Sequence, residues 1–147
     1  ISNVIAFKES SAYLAQCMEI IKNSPHGFHL LSGEDNLTVP LISTGAEGVI
    51  SLTSNVVPNE FSRMVRFALN CQFEEAKAIH YGLLDLMKVM FIESNPGPVK
   101  SALSMMGIIS ENYRLPLVAM REENRRKVRD VLLQLETVVV EEMAENR

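Results

Sequence analysis

Through its first half the chain alternates between short apolar runs and amphipathic segments. Val4 to Phe7 is continuously apolar, Lys8-Glu9-Ser10-Ser11 follows, and Leu14, Cys17, Met18 and Ile21 then recur at helical spacing. Asn23-Ser24-Pro25-His26-Gly27 breaks that helix. The pattern repeats with Phe28 to Leu31, the polar stretch Ser32-Gly33-Glu34-Asp35-Asn36, and a short helix ending near Thr44-Gly45. A third unit runs from Gly48 to Thr53, passes Ser54-Asn55, and predicts a helix from Pro58 to Ala68. Pro58 suits a first helical turn, where its missing N–H costs nothing.

Strand starts recur roughly every 20 to 24 residues, the span of a strand plus a crossover helix in a parallel sheet. Unbroken apolar strands predict a sheet covered on both faces. Three such units leave two unpaired edges, which natural sheets avoid, so the pattern reads as part of a larger sheet. From Gln72 onward the strand signal stops. Phe73, Ala76, Ile79, Leu83, Leu84, Met87 and Met90 keep a helical period, and "SNPGPVK" (94–100) turns into a helix from Val99 to Met106. Leu115-Pro116-Leu117 reads as an extended connector. A last long helix carries Val128, Val131, Leu132, Leu135, Val138, Val139 and Met143 on one side. The expected division is residues 1–71 as βα units and 72–147 as a helical domain, with the boundary near Cys71.

Composition narrows the classes. The 147 residues are 47% apolar with a formal net charge of −4, which places the chain among globular proteins and argues against a nucleic-acid partner. The basic cluster Arg125-Arg126-Lys127 with Arg129 precedes an acidic end and reads as a solvated helix face. Two cysteines, Cys17 and Cys71, give no disulfide framework and fit a reducing, cytoplasmic setting. No apolar run approaches the roughly 18 to 20 residues of a membrane span. The chain opens on "ISNVIAF" without an initiator methionine, as if cut from something longer.

Candidate chemistry gathers where the three strands end: Lys8, then Gly33-Glu34-Asp35, then Ser51 to Asn55. Ligands of parallel α/β folds bind at those ends. A lysine flanked there by apolar backbone would be partly dehydrated, which favours the neutral amine, and a neutral amine attacks ketones to give a Schiff base. The other reading leaves Lys8 at the surface, paired with Glu9 or Glu34. Gly33 permits either close approach to a ligand or a tight turn. Glu34 and Asp35 suit acid–base work or helix capping. His26 and His29 lack the further ligands a metal needs, and His80 sits on a helix whose other face is apolar; no metal site is expected. Neither nucleotide-binding glycine motif is present, and no cofactor is expected.

Taken together, "NVIAFKESS", "LLSGEDNLTVPLISTGAEGVISLTSNVVP" and "NPGPVKSALSMMG", in that order and spacing, resemble the C-terminal half of the 4-hydroxy-tetrahydrodipicolinate synthase (dihydrodipicolinate synthase) family. That family belongs to the pyruvate-dependent class I aldolase group, which includes N-acetylneuraminate lyase. The resemblance implies a (β/α)8 TIM barrel, of which this chain holds the last three βα units, followed by a C-terminal helical domain. It implies that Lys8 forms the imine with pyruvate and that the Ile50 carbonyl faces the adduct. Gly33, Glu34 and Asp35 would line the side of the second substrate, aspartate semialdehyde, with Asn95 approaching the same cleft. A homotetramer is implied as well.

The chain departs from the family pattern where a glycine usually follows the lysine, having Ala12-Tyr13, and where two aspartates follow the second-loop glycine, having Glu34-Asp35. The family's first five βα units, with its Gly-Thr-Thr-Gly-Glu motif, catalytic tyrosine and substrate-binding arginine, have no counterpart here. The expectation is a fragment inactive by itself, whose partner is the missing N-terminal half of the barrel. Two alternatives accompany this reading: an N-acetylneuraminate lyase or related aldolase, and a non-catalytic assembly module acting through the helical region.

Overall fold

The computed structural model describes the backbone of residues 3–145 and the side chains of residues 3–135. Val138, Val139 and Met143, expected on the apolar side of the last helix, lie outside the residues whose side chains are described. The chain divides into two compact units, Ile1–Leu84 and Asp85–Arg147.

In the first unit, strands β1 (Ala6–Glu9), β2 (His29–Ser32) and β3 (Gly48–Val49) form a parallel sheet in that order. Helix α1 (Leu14–Asn23) connects the first pair, and a single 3-10 turn followed by α2 (Thr38–Ser43) connects the second. Helix α3 (Pro58–Leu69) follows β3, and α4 (Phe73–Val89) comes next. Pro58 does open α3, and Cys71 turns the chain between α3 and α4 with φ +60°.

Two strands differ from expectation. β1 starts at Ala6 and takes in Lys8 and Glu9, because pairing begins only where His29 reaches it, its N–H donating to the Ile5 carbonyl at 2.9 Å. β3 stops at Val49 and does not run on to Thr53. The amides of Leu52 and Thr53 are taken by the Asp35 carboxylate, which bends the chain into a turn.

The core of this unit lies between one face of the sheet and its helices. Cys17, Leu30, Leu41 and Ala46 are buried together, with Leu14, Ile20, Ile21 and Leu37 packed around them. Each large aliphatic side chain removed from water there contributes about 1.5–3 kcal/mol. Phe61, Met64 and Ala68 of α3 are buried too. The expected cover on both faces of the first strand is not found: Val4, Ile5 and Phe7 are 48%, 65% and 47% exposed. β1 is an edge strand with a partner on one side only, and burial of an apolar run needs neighbours on every side.

Glu9 fastens β1 to α1. Its Oε1 accepts from the Ser11 amide at 2.8 Å and from Gln16 Nε2 at 3.4 Å, and its Oε2 accepts from the Cys17 thiol at 3.2 Å. Burial alone would raise the Glu9 carboxyl, but hydrogen bonds from Ser11, Cys17 and Ser10 outweigh it and hold it below the usual range. Burial, and then the bond to Glu9, push the Cys17 thiol up to about 11, so it stays an inert donor. Between Ser11 and α1 the backbone of Ala12 takes φ +59°, a left-handed conformation.

The second unit holds the end of α4, helix α5 (Gly97–Met105), an irregular segment, and α6 (Glu122–Glu145). Polar anchors hold the irregular segment. The Tyr113 hydroxyl donates to Glu111 Oε1 at 3.0 Å, and Arg125 Nε and Nη2 donate to Glu111 Oε2 at 3.3 and 3.1 Å. Lys100 donates to the Asn112 carbonyl and stands 5.0 Å from the centre of the Tyr113 ring. Glu93 Oε1 accepts from the Arg121 amide and from Asn124 Nδ2. Within the basic cluster, Arg126 pairs with Glu122 and Lys127 with Glu123, as expected of a solvated helix face. Among the described residues no helix is long and apolar enough to cross a membrane.

Two stability predictions follow from these anchors. Ala12→Gly relieves a left-handed strain of about 1–2 kcal/mol, part of which the freer unfolded chain cancels, so a net gain of about 1 kcal/mol is expected. Chemical denaturation would read it, and an unchanged or lowered midpoint would refute it. Burial raises the Glu111 carboxyl, but bonds from Arg125 and Tyr113 dominate and lower it from 4.5. Its contribution is therefore present above pH 4.5 and lost as pH falls through the lower folded value. Glu111→Gln should flatten that acid loss in melting temperature measured against pH.

Candidate functional site

The parallel register sets which side chains share a face. Ala6 pairs with His29, Lys8 with Leu31, and Leu31 with Gly48. Since side chains alternate along a strand, Lys8, Leu31, Gly48 and Ile50 share one face, while Phe7, Glu9, Leu30 and Ser32 point toward the helices. The ladder continues past the last paired residues, with Ile50 N–H donating to the Ser32 carbonyl at 2.8 Å and Gly33 N–H to the Glu9 carbonyl at 2.6 Å.

Lys8 is therefore inside the strand, on the face away from the helices. The dehydrated setting expected for it is not supplied by this chain: Lys8 is exposed on the face away from the helices. Its partner is not Glu9, which points the other way. The Lys8 side chain lies over Gly33, its Cε 2.7 Å from where a Cβ on that glycine would stand. The Ser10 hydroxyl fills the same space, and the Glu9 carbonyl oxygen is 2.9 Å from it. Gly33 is buried and is not among the glycines of positive φ, so space and not a turn conformation requires it.

Glu34 and Asp35 part company. Burial first, then Asp35 and Glu9, raise the half-buried Glu34 carboxyl, and Lys8 partly offsets them. Glu34 thus stays within electrostatic reach of the lysine. Asp35 is fully buried, and its Oδ2 accepts from the amides of Leu52 and Thr53 at 3.1 and 2.7 Å. It ties the loop after β2 to the turn just beyond Ile50. The Ser32 hydroxyl braces the same loop, donating to the Glu34 carbonyl at 2.9 Å and accepting from the Glu34 amide at 3.1 Å.

Ile50 is half exposed on the Lys8 face at the end of β3. Asn95 belongs to the second unit, exposed on the turn before α5. The first unit thus brings Lys8, Gly33 and Ile50 to neighbouring strand ends on one face, with Glu34 nearby. His29 Nδ1 lies 2.6 Å from Glu47 Oε2, and His80 is buried, which lowers its tendency to protonate. Among the described residues no three His, Cys, Asp or Glu side chains converge as metal ligands. Beyond β3 a cavity of about 430 Å³ opens, lined by Gly48, Val49, Phe61 and Val65 among others.

Sequence reasoning missed three contributors: Glu9, Ser10 and Ser32. Strand alternation placed from Lys8 would have turned Glu9 toward α1. Nothing local announces that Ser10 packs on Gly33, a contact between different βα units.

Comparison with known proteins gives a consistent picture. A family profile described as the dihydrodipicolinate synthetase family matches residues 1–135. The 4-hydroxy-tetrahydrodipicolinate synthase of Koribacter versatilis is 50% identical over 131 residues, which are 89% of this chain and 44% of that protein. The crystal structure of dihydrodipicolinate synthase from Aquifex aeolicus superposes with a TM-score of 0.89 at 45% identity, covering 92% of this chain and 46% of that one. The chloride-inhibited enzyme from Acinetobacter baumannii, complexed with pyruvate, gives 0.87 at 30% identity over 91% and 46% of the two chains. The chain thus spans less than half the length of these relatives. Its three βα units are the last units of a (β/α)8 barrel, and a helical region follows them.

The double bond from Asp35 to the turn after Ile50 has a direct consequence. Asp35→Ala should cost about 3–6 kcal/mol, since two amides lose their partner and each bond to a carboxylate is worth roughly 1.5–3 kcal/mol. Amide exchange at Leu52 and Thr53 should rise with it; unchanged protection at both would show that the carboxylate does not hold the turn.

Proposed function

The chain belongs to the dihydrodipicolinate synthetase family, and from that premise we propose that the protein it forms part of is a 4-hydroxy-tetrahydrodipicolinate synthase. It condenses pyruvate with L-aspartate 4-semialdehyde through a Schiff base on Lys8. The observation that carries this reading is the placement of Lys8 on the open face of the strand ends, beside Gly33 and Ile50. The pyruvate bound to the Acinetobacter baumannii relative supports the choice of keto acid.

The amine of Lys8 adds to the pyruvate ketone and water leaves, giving an imine. Loss of a proton from the pyruvate methyl turns the imine into an enamine, the electron sink having taken up the pair. The enamine carbon attacks the aldehyde and a carbon–carbon bond forms. The amino group of the semialdehyde then attacks the imine carbon, closes the ring and displaces Lys8. Ile50 lends its carbonyl to the adduct, and Gly33 and Glu34 border the aldehyde side. Asp35 acts from behind, by holding the turn beyond Ile50. No cofactor takes part.

Proton transfer and anion binding need groups that these residues do not include. They come from the remaining five βα units, which pair with the open edges of β1 and β3, so the isolated chain is inactive. Exposed Val4, Ile5 and Phe7 at one edge and the cavity beside β3 at the other support that arrangement. The complete protein is a cytoplasmic homotetramer on this reading.

Borohydride added with pyruvate to the complete protein should leave one reduced pyruvyl group on Lys8, located by peptide mass, and Lys8→Ala should abolish it. No adduct, or an adduct on a different lysine, would sink the proposal. Condensation with aspartate semialdehyde, measured against cleavage of sialic acid, separates the synthase from an N-acetylneuraminate lyase.

A further inference from the structure

Gly33 sits where three groups of the first βα unit converge. The Lys8 Cε, the Ser10 hydroxyl and the Glu9 carbonyl oxygen all lie within the space a Cβ at this position would take. Its N–H meanwhile donates to that same Glu9 carbonyl at 2.6 Å, so the backbone cannot withdraw without breaking the ladder. Gly33 is buried, and no positive φ requires a glycine here. What requires it is the crowding by the Ser10 hydroxyl, the nearest of the three, by the Lys8 Cε at 2.7 Å and by the Glu9 carbonyl oxygen at 2.9 Å. We propose that Gly33 is a positioning residue: it forms a notch through which the Lys8 side chain crosses the end of β2, and this crossing aims the amine at the strand ends. The proposal deepens the Schiff-base reading of Lys8, on which it rests.

A side chain at position 33 meets obstacles of different stiffness. The Glu9 carbonyl is backbone and yields little. The Lys8 Cε is near the tip of a flexible chain and gives way cheaply by rotating. A methyl group at Gly33 therefore displaces the Ser10 hydroxyl and the Lys8 side chain, both flexible, before it shifts the backbone. Displacement of a reacting group by about 1 Å costs on the order of 10²-fold in rate.

The test uses the complete protein and three forms: wild type, Gly33→Ala, and Gly33→Ala combined with Ser10→Ala. The second substitution removes the hydroxyl clash and leaves the methyl against Lys8. Gly33→Ala should slow borohydride trapping of pyruvate by tenfold or more. The double variant should recover melting temperature without recovering trapping. Wild-type trapping by Gly33→Ala, or recovery of both properties in the double variant, would overturn the notch, the latter because Ser10 alone would then explain the glycine. A second readout does not involve pyruvate: reductive ¹³C-methylation of Lys8, whose methyl resonance should move between wild type and the double variant. A wild type that traps no pyruvate refutes the Schiff-base reading, and the resonance then decides the notch by itself, a shift supporting it and coincident signals refuting it.

Discussion

The hydrogen bond from the Gly33 amide to the Glu9 carbonyl fixes how the second strand leaves the sheet beneath the end of the first. It extends a ladder that already pairs Ala6 with His29 and Glu9 with Ser32. A slip of one residue in that ladder would exchange the two faces of β1, turning Lys8 toward the helices and Glu9 toward the open side. Both residues are therefore positioned by one register. Glu9 works as the counterpart of Lys8: its carboxylate, held ionised by the amides and thiol around it, locks β1 to α1 and prevents the slip.

The alternation of strand and helix was legible because it is a local periodicity, written in neighbouring residues. The positions of Lys8, Gly33 and Ile50 were legible through the family resemblance, and the parallel register explains why they meet. What escaped was everything carried between units. β3 ends early because a carboxylate in the preceding loop captures two amides beyond it, and the apolar run Gly48 to Leu52 contains no sign of that. Asp35 looked like a partner of Glu34 and instead points into the protein. Gly33 left close approach and a tight turn open, and the structure shows crowding by Ser10, Lys8 and Glu9. Ala12 was visible as a departure from the family glycine, but only its left-handed backbone explains why a glycine suits that place.

The apolar run at the start of the chain misled for a related reason. An unbroken apolar strand implies two covered faces, yet Val4, Ile5 and Phe7 are about half exposed or more. The periodicity predicted a buried strand, and β1 is instead an edge strand paired on one side only. The cavity flanking β3 repeats the point at the other edge. Apolar surface left uncovered at both ends of a short parallel sheet is the structural counterpart of a chain that spans less than half of its relatives.

If Lys8 forms the imine proposed for it, the two requirements of that role fall to different parts of the polypeptide. Direction is set here, by the register, by Glu9 and by the crossing at Gly33. Dehydration is not, since Lys8 stands exposed on the uncovered face. An amine condenses with a ketone as the neutral base, a form that dehydration favours. Closing the face changes more than Lys8. Glu34, whose carboxyl burial already raises and Lys8 pulls down, would lose further water at the same moment. The lysine and this carboxylate are thus coupled through one event, the covering of the strand ends. The Schiff base proposed on Lys8 would require both that covering and the register beneath it.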